Sequence, residues 1–326
     1  MAILQIREAL RAAMWEEMER DENVFLIGEE VAEYNGAYKI SEGMLAKFGE
    51  KRVIDSPISE TGFVGLGVGA AMMGLRPIIE FMTWNFSQVS FDQIANNVAR
   101  IRYMSGGQYS MPMVLRGANG SAGQLGATHS NSLENMYANI PGLKVVSISN
   151  PDDAKGLLKA SIRDDDPVLF MESEVMYGFK GEVSDASDYV IPIGKARIGR
   201  EGNHVTLVTW NKAYWTVLKA AEELSKMGYE AEVIDLRTIR PMDMPTVLAS
   251  VYKTNRCVVI DEANPLASIA AEIAYRIQAE AFDHLDAPVL RVTNKDTPAP
   301  YAKNLIETWI PQVADIVQAA KAVLYV

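Results

Sequence analysis

The chain is poor in the residues that most small catalytic and metal-binding motifs need. It has one cysteine and three histidines in 326 residues. A disulfide framework is excluded, and Cys257, inside the apolar run Cys-Val-Val-Ile, reads as a core residue of a protein kept in a reducing compartment. Cys-x-x-Cys, His-Glu-x-x-His, EF-hand, Walker and nucleophile-elbow patterns are all missing, which removes the usual zinc, calcium, nucleotide and serine-hydrolase readings. No apolar run is long enough to span a bilayer. The longest nearly uncharged stretch, Gly62 to Leu75, is short and glycine-rich. Positive charge is also in deficit, with 31 Lys and Arg against 42 Asp and Glu, a net charge of −11. That balance argues against nucleic acid or an anionic membrane as the main partner. The N-terminus, Ala2-Ile-Leu-Gln-Ile-Arg-Glu, shows no signal or transit pattern, so the expectation is a cytoplasmic protein.

What is present is an ordinary globular composition, 48% hydrophobic and 22% charged, at a length that allows two cores. Helical spacing runs from Ile6 to Glu19, and Val24 to Gly28 reads as a short buried strand. Further apolar runs at Val53-Ile54, Pro77 to Phe81, Pro112 to Leu115, Lys144 to Ile148 and Val168 to Met171 alternate with helix-like segments. Between Tyr177 and Gly202 the pattern breaks into Gly, Ser, Asp and Pro. A second alternation follows from Val205 to Val292. The expected fold is α/β in two domains, residues 1–190 and 191–326, each a mostly parallel sheet covered by helices.

Glu60 stands out in this frame. It heads the stretch Thr61 to Leu75, which has no ionisable side chain, with Pro57 and Ser59 just before it. Such a carboxylate either favours a helix N-terminus in water or sits in an apolar wall where its proton affinity can be tuned. The glycines that follow, Gly65-Leu-Gly67-Val-Gly-Ala70, imitate a dinucleotide fingerprint with Glu80 at a suggestive distance. The preceding strand ends near Asp55, so these glycines fall inside a helix and serve close packing instead. Two more polar or glycine-rich segments follow strands: Phe81-Met-Thr-Trp-Asn-Phe86, and the long loop from Arg116 to Ser130, which ends at His129. A loop of that length at the ligand side of an α/β sheet is a functional candidate.

Taken together, Ser56-Pro-Ile-Ser-Glu60 with Gly62-Phe63, Glu80-Phe-Met-Thr, Tyr103-Met-Ser-Gly-Gly107, His129-Ser, Arg237-Thr-Ile-Arg-Pro-Met-Asp243, Pro300-Tyr-Ala-Lys303 and Ile310-Pro-Gln-Val313 form an ordered set. The chain resembles the beta subunits of the thiamine-diphosphate-dependent, decarboxylating component of pyruvate dehydrogenase, from about Ile6 to the C-terminus. The resemblance implies a pyrimidine-binding thiamine-diphosphate domain followed by a transketolase C-terminal-like domain. It implies that Glu60, hydrogen-bonded to the cofactor's pyrimidine ring, promotes the tautomer that activates the thiazolium carbon toward pyruvate. Ile58, Met82 and Phe86 would line that pocket, and His129 would assist acetyl transfer to a lipoyl group.

The family holds the diphosphate through Mg²⁺ with a Gly-Asp-Gly segment and a downstream Asn-Asn. This chain has no Gly-Asp-Gly, and its Asn96-Asn97 lies in a helix-like stretch. Half the site is therefore expected from an alpha chain, in a heterotetramer of two alpha and two beta chains that serves a dihydrolipoyl acyltransferase core. The resemblance also implies a K⁺ site using main-chain oxygens near Met113, Ser161, Ile162 and Asp164, with Asp166 close by; as plain sequence, Asp164-Asp-Asp166 is a solvated acidic turn. Asp283 and Asp286 would meet a basic segment of the acyltransferase, or simply form an acidic surface. Related possibilities are the beta chain of a branched-chain 2-oxo acid or acetoin dehydrogenase, a transketolase-like enzyme, and a non-catalytic assembly subunit.

Overall fold

The computed structural model describes residues 1–186 and 188–326. By internal contact the chain forms two compact units, Met1–Asn119 with Met136–Ile193, and Gly120–Asn135 with Gly194–Val326.

In the first unit, β1 (Ala2–Gln5) leads directly into α1 (Ile6–Arg20), whose Gln5 and Glu8 form a reciprocal capping box. Next come β2 (Val24–Gly28), α2 (Met44–Phe48), β3 (Val53–Asp55), α3 (Glu60–Met72) and β4 (Arg76–Thr83). A 3₁₀ stretch, Trp84–Ser90, and a π-helical turn, Gln93–Val98, precede α4 (Ile101–Met104) and β5 (Val114–Ala118). After α5 (Glu134–Ala138) the unit is completed by β6 (Lys144–Ser147), α6 (Pro151–Arg163), β7 (Val168–Glu172) and β8 (Lys180–Val183). The sheet runs β6-β7-β5-β4-β2-β3 with every pairing parallel. β2, β5 and β7 are buried along their whole length, as a parallel sheet covered on both faces requires. β1 and β8 form a separate antiparallel ribbon.

α6 starts sharply because Asn150 accepts a hydrogen bond from Asp153 N at 3.0 Å and Pro151 opens the first turn. It packs on α1 through charge: Lys159 reaches Glu16 at 2.6 Å, and Arg163 reaches Glu17 at 2.8 Å. α3 lies against β4, and Gly67 makes that possible. A Cβ there would stand 2.7 Å from Ile79 Cδ1 and 2.9 Å from Met113 Cε. The glycine run is thus helical, as its position after β3 suggests, but close packing requires a glycine only at Gly67: a Cβ at Gly65 would make ordinary contact at 3.6 Å, and one at Gly69 would meet nothing within 4 Å.

The second unit contains β9 (Arg197–Arg200), β10 (Val205–Thr209), α7 (Ala213–Lys226), β11 (Ala231–Asp235) and β12 (Thr238–Arg240). α8 (Met244–Thr254), β13 (Cys257–Asp261), α9 (Ile269–Ala281), β14 (Leu290–Thr293), α10 (Lys303–Trp309) and α11 (Val313–Leu324) complete it. Its sheet runs β14-β13-β10-β11-β9, parallel except for β9. Leu207, Val233, Val258 and Ile260 meet Val217 and Leu224 of α7 and Ile316 and Val323 of α11 in one core. Asp243 and Ser268 cap α8 and α9. Two α/β domains with mostly parallel sheets are present, as the alternating pattern indicates; the β1–β8 ribbon and the edge strand β9 are additions it did not signal. Among the described residues no helix is long and apolar enough to cross a membrane.

Candidate active site

Glu60 is the first residue of α3 and is only 5% exposed. Ser59 occupies the N-cap position, but its side chain makes no capping bond. The first turn is held instead by Thr61, whose hydroxyl donates to Val89 O at 2.8 Å in the 3₁₀ stretch. β3 and β2 are joined just upstream, where Ser56 N donates to Gly28 O at 2.8 Å. Asp55 then accepts from Ala32 N at 2.7 Å and Glu33 N at 3.0 Å, which fixes the turn leaving β2.

That turn carries Glu29, 7% exposed, a residue that sequence reasoning passes over because Glu29-Glu30 looks like an acidic surface. Burial, then the charge of Glu60, push the Glu29 carboxyl above the usual carboxylate range. Its Oε1 has no hydrogen-bond partner among the described residues. A buried carboxylate oxygen left unpaired calls for a donor from outside the chain. Gly28 is what lets Glu29 sit there, since a Cβ at that position would lie 2.5 Å from Glu80 O. Two carboxyl groups at the carboxyl ends of parallel strands, beside a helix N-terminus, suit a nitrogen heterocycle that both accepts and donates protons.

Met82, near the end of β4, and Phe86, in the 3₁₀ stretch, are half-buried on two of the elements that α3 packs against. Ile58 is 84% exposed, and Leu66 and Val89 are exposed as well. The apolar fringe at the head of α3 is therefore open.

Below this site lies a buried charged layer that sequence reasoning also missed. Arg116 on β5 donates to both carboxylate oxygens of Glu172 on β7, from Nε at 2.6 Å, and also to Glu80 on β4. Tyr177 Oη adds a hydrogen bond to Glu172 at 2.7 Å. Burial, only partly offset by Arg116 and reinforced by Glu172, pushes the Glu80 carboxyl up. Glu80 is thus a member of an ion cluster inside the sheet. The signal for it was a charge within the apolar strand Pro77-Ile-Ile-Glu80-Phe81.

His129 closes a 3₁₀ turn, Ala127–His129, with Nδ1 2.9 Å from Thr128 Oγ1. Ser130 Oγ donates to Gly126 O at 2.8 Å and pins the turn. By its contacts this segment belongs to the second unit, whereas Glu60 belongs to the first.

Met113, Ser161, Ile162, Asp164 and Asp166 come together around Arg76 and Lys144. Arg76 donates to Ile162 O at 3.0 Å and Asp164 O at 2.8 Å. Met113 O accepts from Val168 N at 2.9 Å, and Ser161 O from Asp164 N at 3.3 Å. The Asp164 carboxylate takes both its oxygens to Lys144 Nζ at 2.7 Å, and Asp166 pairs with Arg102 and Lys144. The acidic turn is therefore a partly buried, charge-compensated cluster, and each main-chain oxygen keeps a second lone pair.

Residues 3–180 match the family model described as the transketolase pyrimidine binding domain, and residues 194–316 match the transketolase C-terminal domain. A solved structure described as a split gene transketolase, inactive beta4 tetramer, has a TM-score of 0.79 over 99% of this chain and 98% of that chain. At 19% identity this likeness shows the fold. The pyruvate dehydrogenase E1 component subunit beta of Rhizobium meliloti is 54% identical over 100% of this chain and 71% of the relative. The mitochondrial subunit beta-2 of Oryza sativa is 53% identical over 99% of this chain and 86% of the relative, and the mitochondrial Homo sapiens subunit beta is 52% identical over 98% and 90%. On two transketolase-type domains, with more than half its residues shared along nearly its whole length, the chain belongs to the family of pyruvate dehydrogenase E1 beta subunits.

Proposed function

We propose that this chain is the beta half of an acetyl-transferring pyruvate dehydrogenase, which oxidatively decarboxylates pyruvate and acetylates a lipoyl group. The observation that carries the reading is the buried carboxyl pair Glu60 and Glu29, one oxygen of which lacks a partner within the described chain. When bound, thiamine diphosphate supplies the nucleophilic carbon and the electron sink that pyruvate decarboxylation needs. Glu60 holds the proton at the pyrimidine ring nitrogen, in a setting where apolar neighbours keep water out. Met82 and Phe86 pack on the pyrimidine, and Ile58 closes the pocket from the exposed side. His129 moves a proton during acetyl transfer to the lipoyl sulfur.

The diphosphate and its Mg²⁺ belong to an alpha chain, in a heterotetramer of two alpha and two beta chains. The open apolar fringe of Ile58, Leu66 and Val89 supports that shared arrangement. K⁺ would use the free lone pairs of the Met113, Ser161, Ile162 and Asp164 carbonyls beside Asp166. Asp283 and Asp286 offer negative charge to a basic segment of the dihydrolipoyl acyltransferase core.

The test is a pyruvate decarboxylation assay with an artificial electron acceptor, thiamine diphosphate and Mg²⁺. It compares this chain alone with this chain co-expressed with its alpha partner. Activity only in the pair supports the reading, and activity of the single chain overturns the shared site. Faster turnover of branched 2-oxo acids or acetoin would reassign the substrate.

A further inference from the structure

The segment Gly120–Asn135 is fastened to the second unit at a defined place in its sheet. β10 has β11 on one side and β13 on the other, and the chain passes from β10 to β11 before crossing to β13. The crevice beyond the carboxyl ends of β10 and β13 is therefore a switch point, where open α/β sheets accept a ligand. Here the chain's own segment is held at those ends. Lys212, just after β10, and Glu262, just after β13, form an ion pair 2.5 Å apart, with side chains 20% and 14% exposed. Lys212 Nζ also donates to Ser121 O at 2.7 Å, and Ser132 Oγ donates to Glu262 O.

One end of the segment is thus held by the Lys212 ammonium, which the Glu262 carboxylate orients, and the other by the main-chain carbonyl of Glu262. Gly120 N donates to Asn131 O at 3.0 Å and draws the ends together. Gly120 has φ +76°, and a Cβ there would lie 3.3 Å from Ser132 Oγ, so this neck takes no larger residue without strain. Asn135 Nδ2 reaches Ala267 O at 3.2 Å below the neck. His129 lies between these two held ends.

We infer that Lys212 and Glu262 are positioning residues for His129: their ion pair sets where the imidazole stands, although neither is a catalytic residue. The inference rests on the proposed role of His129 in acetyl transfer. An ion pair with little solvent exposure holds its geometry far better than a surface pair, and small misplacements of a reacting group are costly in rate.

The test uses the assembled complex of this chain with its alpha partner and follows two steps separately. Decarboxylation is read with an artificial acceptor, and reductive acetylation with a free lipoyl domain. Lys212→Met should slow acetylation about tenfold or more while changing decarboxylation about twofold at most. Glu262→Gln, which keeps the side-chain shape, should act in the same direction, and Lys212→Arg should restore acetylation. In a His129→Ala background, Lys212→Met should cost nothing further.

If His129→Ala slows acetylation but Lys212→Met and Glu262→Gln do not, the positioning role is wrong and the histidine's role stands. Positioning is equally ruled out if the losses from Lys212→Met and His129→Ala multiply, or if both steps fall equally and Lys212→Arg restores neither. If His129→Ala leaves acetylation unchanged, the role of the histidine falls and the positioning role falls with it.

Discussion

The carboxyl groups of Glu29, in the turn after β2, and Glu60, at the head of α3, are electrostatically coupled: after burial, the charge of Glu60 is what raises the Glu29 carboxyl. A raised folded value means that the protonated form of Glu29 favours the fold. That contribution is fully present below the unfolded value, about 4.3, and is lost as the pH climbs through the folded value. Glu60→Gln should therefore lower the Glu29 titration toward the ordinary range without reaching it, because burial remains. Carbon-detected NMR of labelled glutamate in the chain would follow this, and an unmoved Glu29 would separate the two groups. In the assembled enzyme, the same substitution should slow decarboxylation by about 10²–10⁴-fold with assembly intact.

Gly28→Ala tests the close approach that places Glu29. The added methyl would meet Glu80 O at 2.5 Å and Val31 Cγ1 at 3.1 Å, and backbone cannot move aside as a flexible side chain can. The expected loss is about 1–3 kcal/mol of stability, read from the urea midpoint. A midpoint equal to that of the parent chain would mean that β2 and β4 relax apart.

Lys159→Ala tests the joint between α1 and α6. Lys159 is fully buried and 2.6 Å from Glu16, and Glu17, also buried, lies 4.0 Å away. Removing the side chain leaves Glu16 with Lys155 at 2.7 Å and Glu17 with Arg163 at 2.8 Å, and it empties the space of a buried stem, so the expected loss is about 2–5 kcal/mol. Lys159→Met paired with Glu16→Gln should recover part of it. Lys159→Met alone keeps the stem and removes only the charge, so a much smaller loss for it than for Lys159→Ala would show that packing of the lysine stem, not charge, is responsible.

Asp261 gives the second unit a pH dependence. It is buried at the end of β13, accepts from Ala270 N at 3.2 Å and faces Glu134 and Glu262. Burial first, then those two acidic neighbours, push its carboxyl from an ordinary 3.8 up to about 8. The protonated form stabilises the folded chain below pH 3.8, and that stabilisation is lost as the pH rises through about 8. Asp261→Asn should flatten the decline in stability across that window, measured by denaturant unfolding at several pH values. A slope as steep as the parent's would move the effect to other groups.

The fold was largely legible because its strands are of the kind that announce themselves. Val24 to Gly28, Val168 to Glu172 and Cys257 to Asp261 are buried on both faces, so they read as continuous apolar runs between amphipathic helices. β9, Arg197–Arg200, escaped notice because an antiparallel edge strand needs only half its residues buried, and this one carries two arginines. Glu60 was visible for the opposite reason, as a single charge before a long uncharged helix. Glu29 was not, because its neighbours Glu30 and Glu33 make the turn look like surface.

Residue order alone was enough for the family resemblance, the two α/β halves, the helix that Glu60 heads and the missing diphosphate motif. Each of these is written locally: a spacing, a run of one character, or the absence of a short motif. Three relations emerged only from the folded chain. Glu29 shares burial and charge with Glu60, Arg116 joins Glu80 to Glu172, and Lys212 and Glu262 hold the segment bearing His129. Those relations join residues far apart in the chain. Electrostatics acts through space, and proton affinity and ion pairing follow from how deeply the groups are buried and how near they stand.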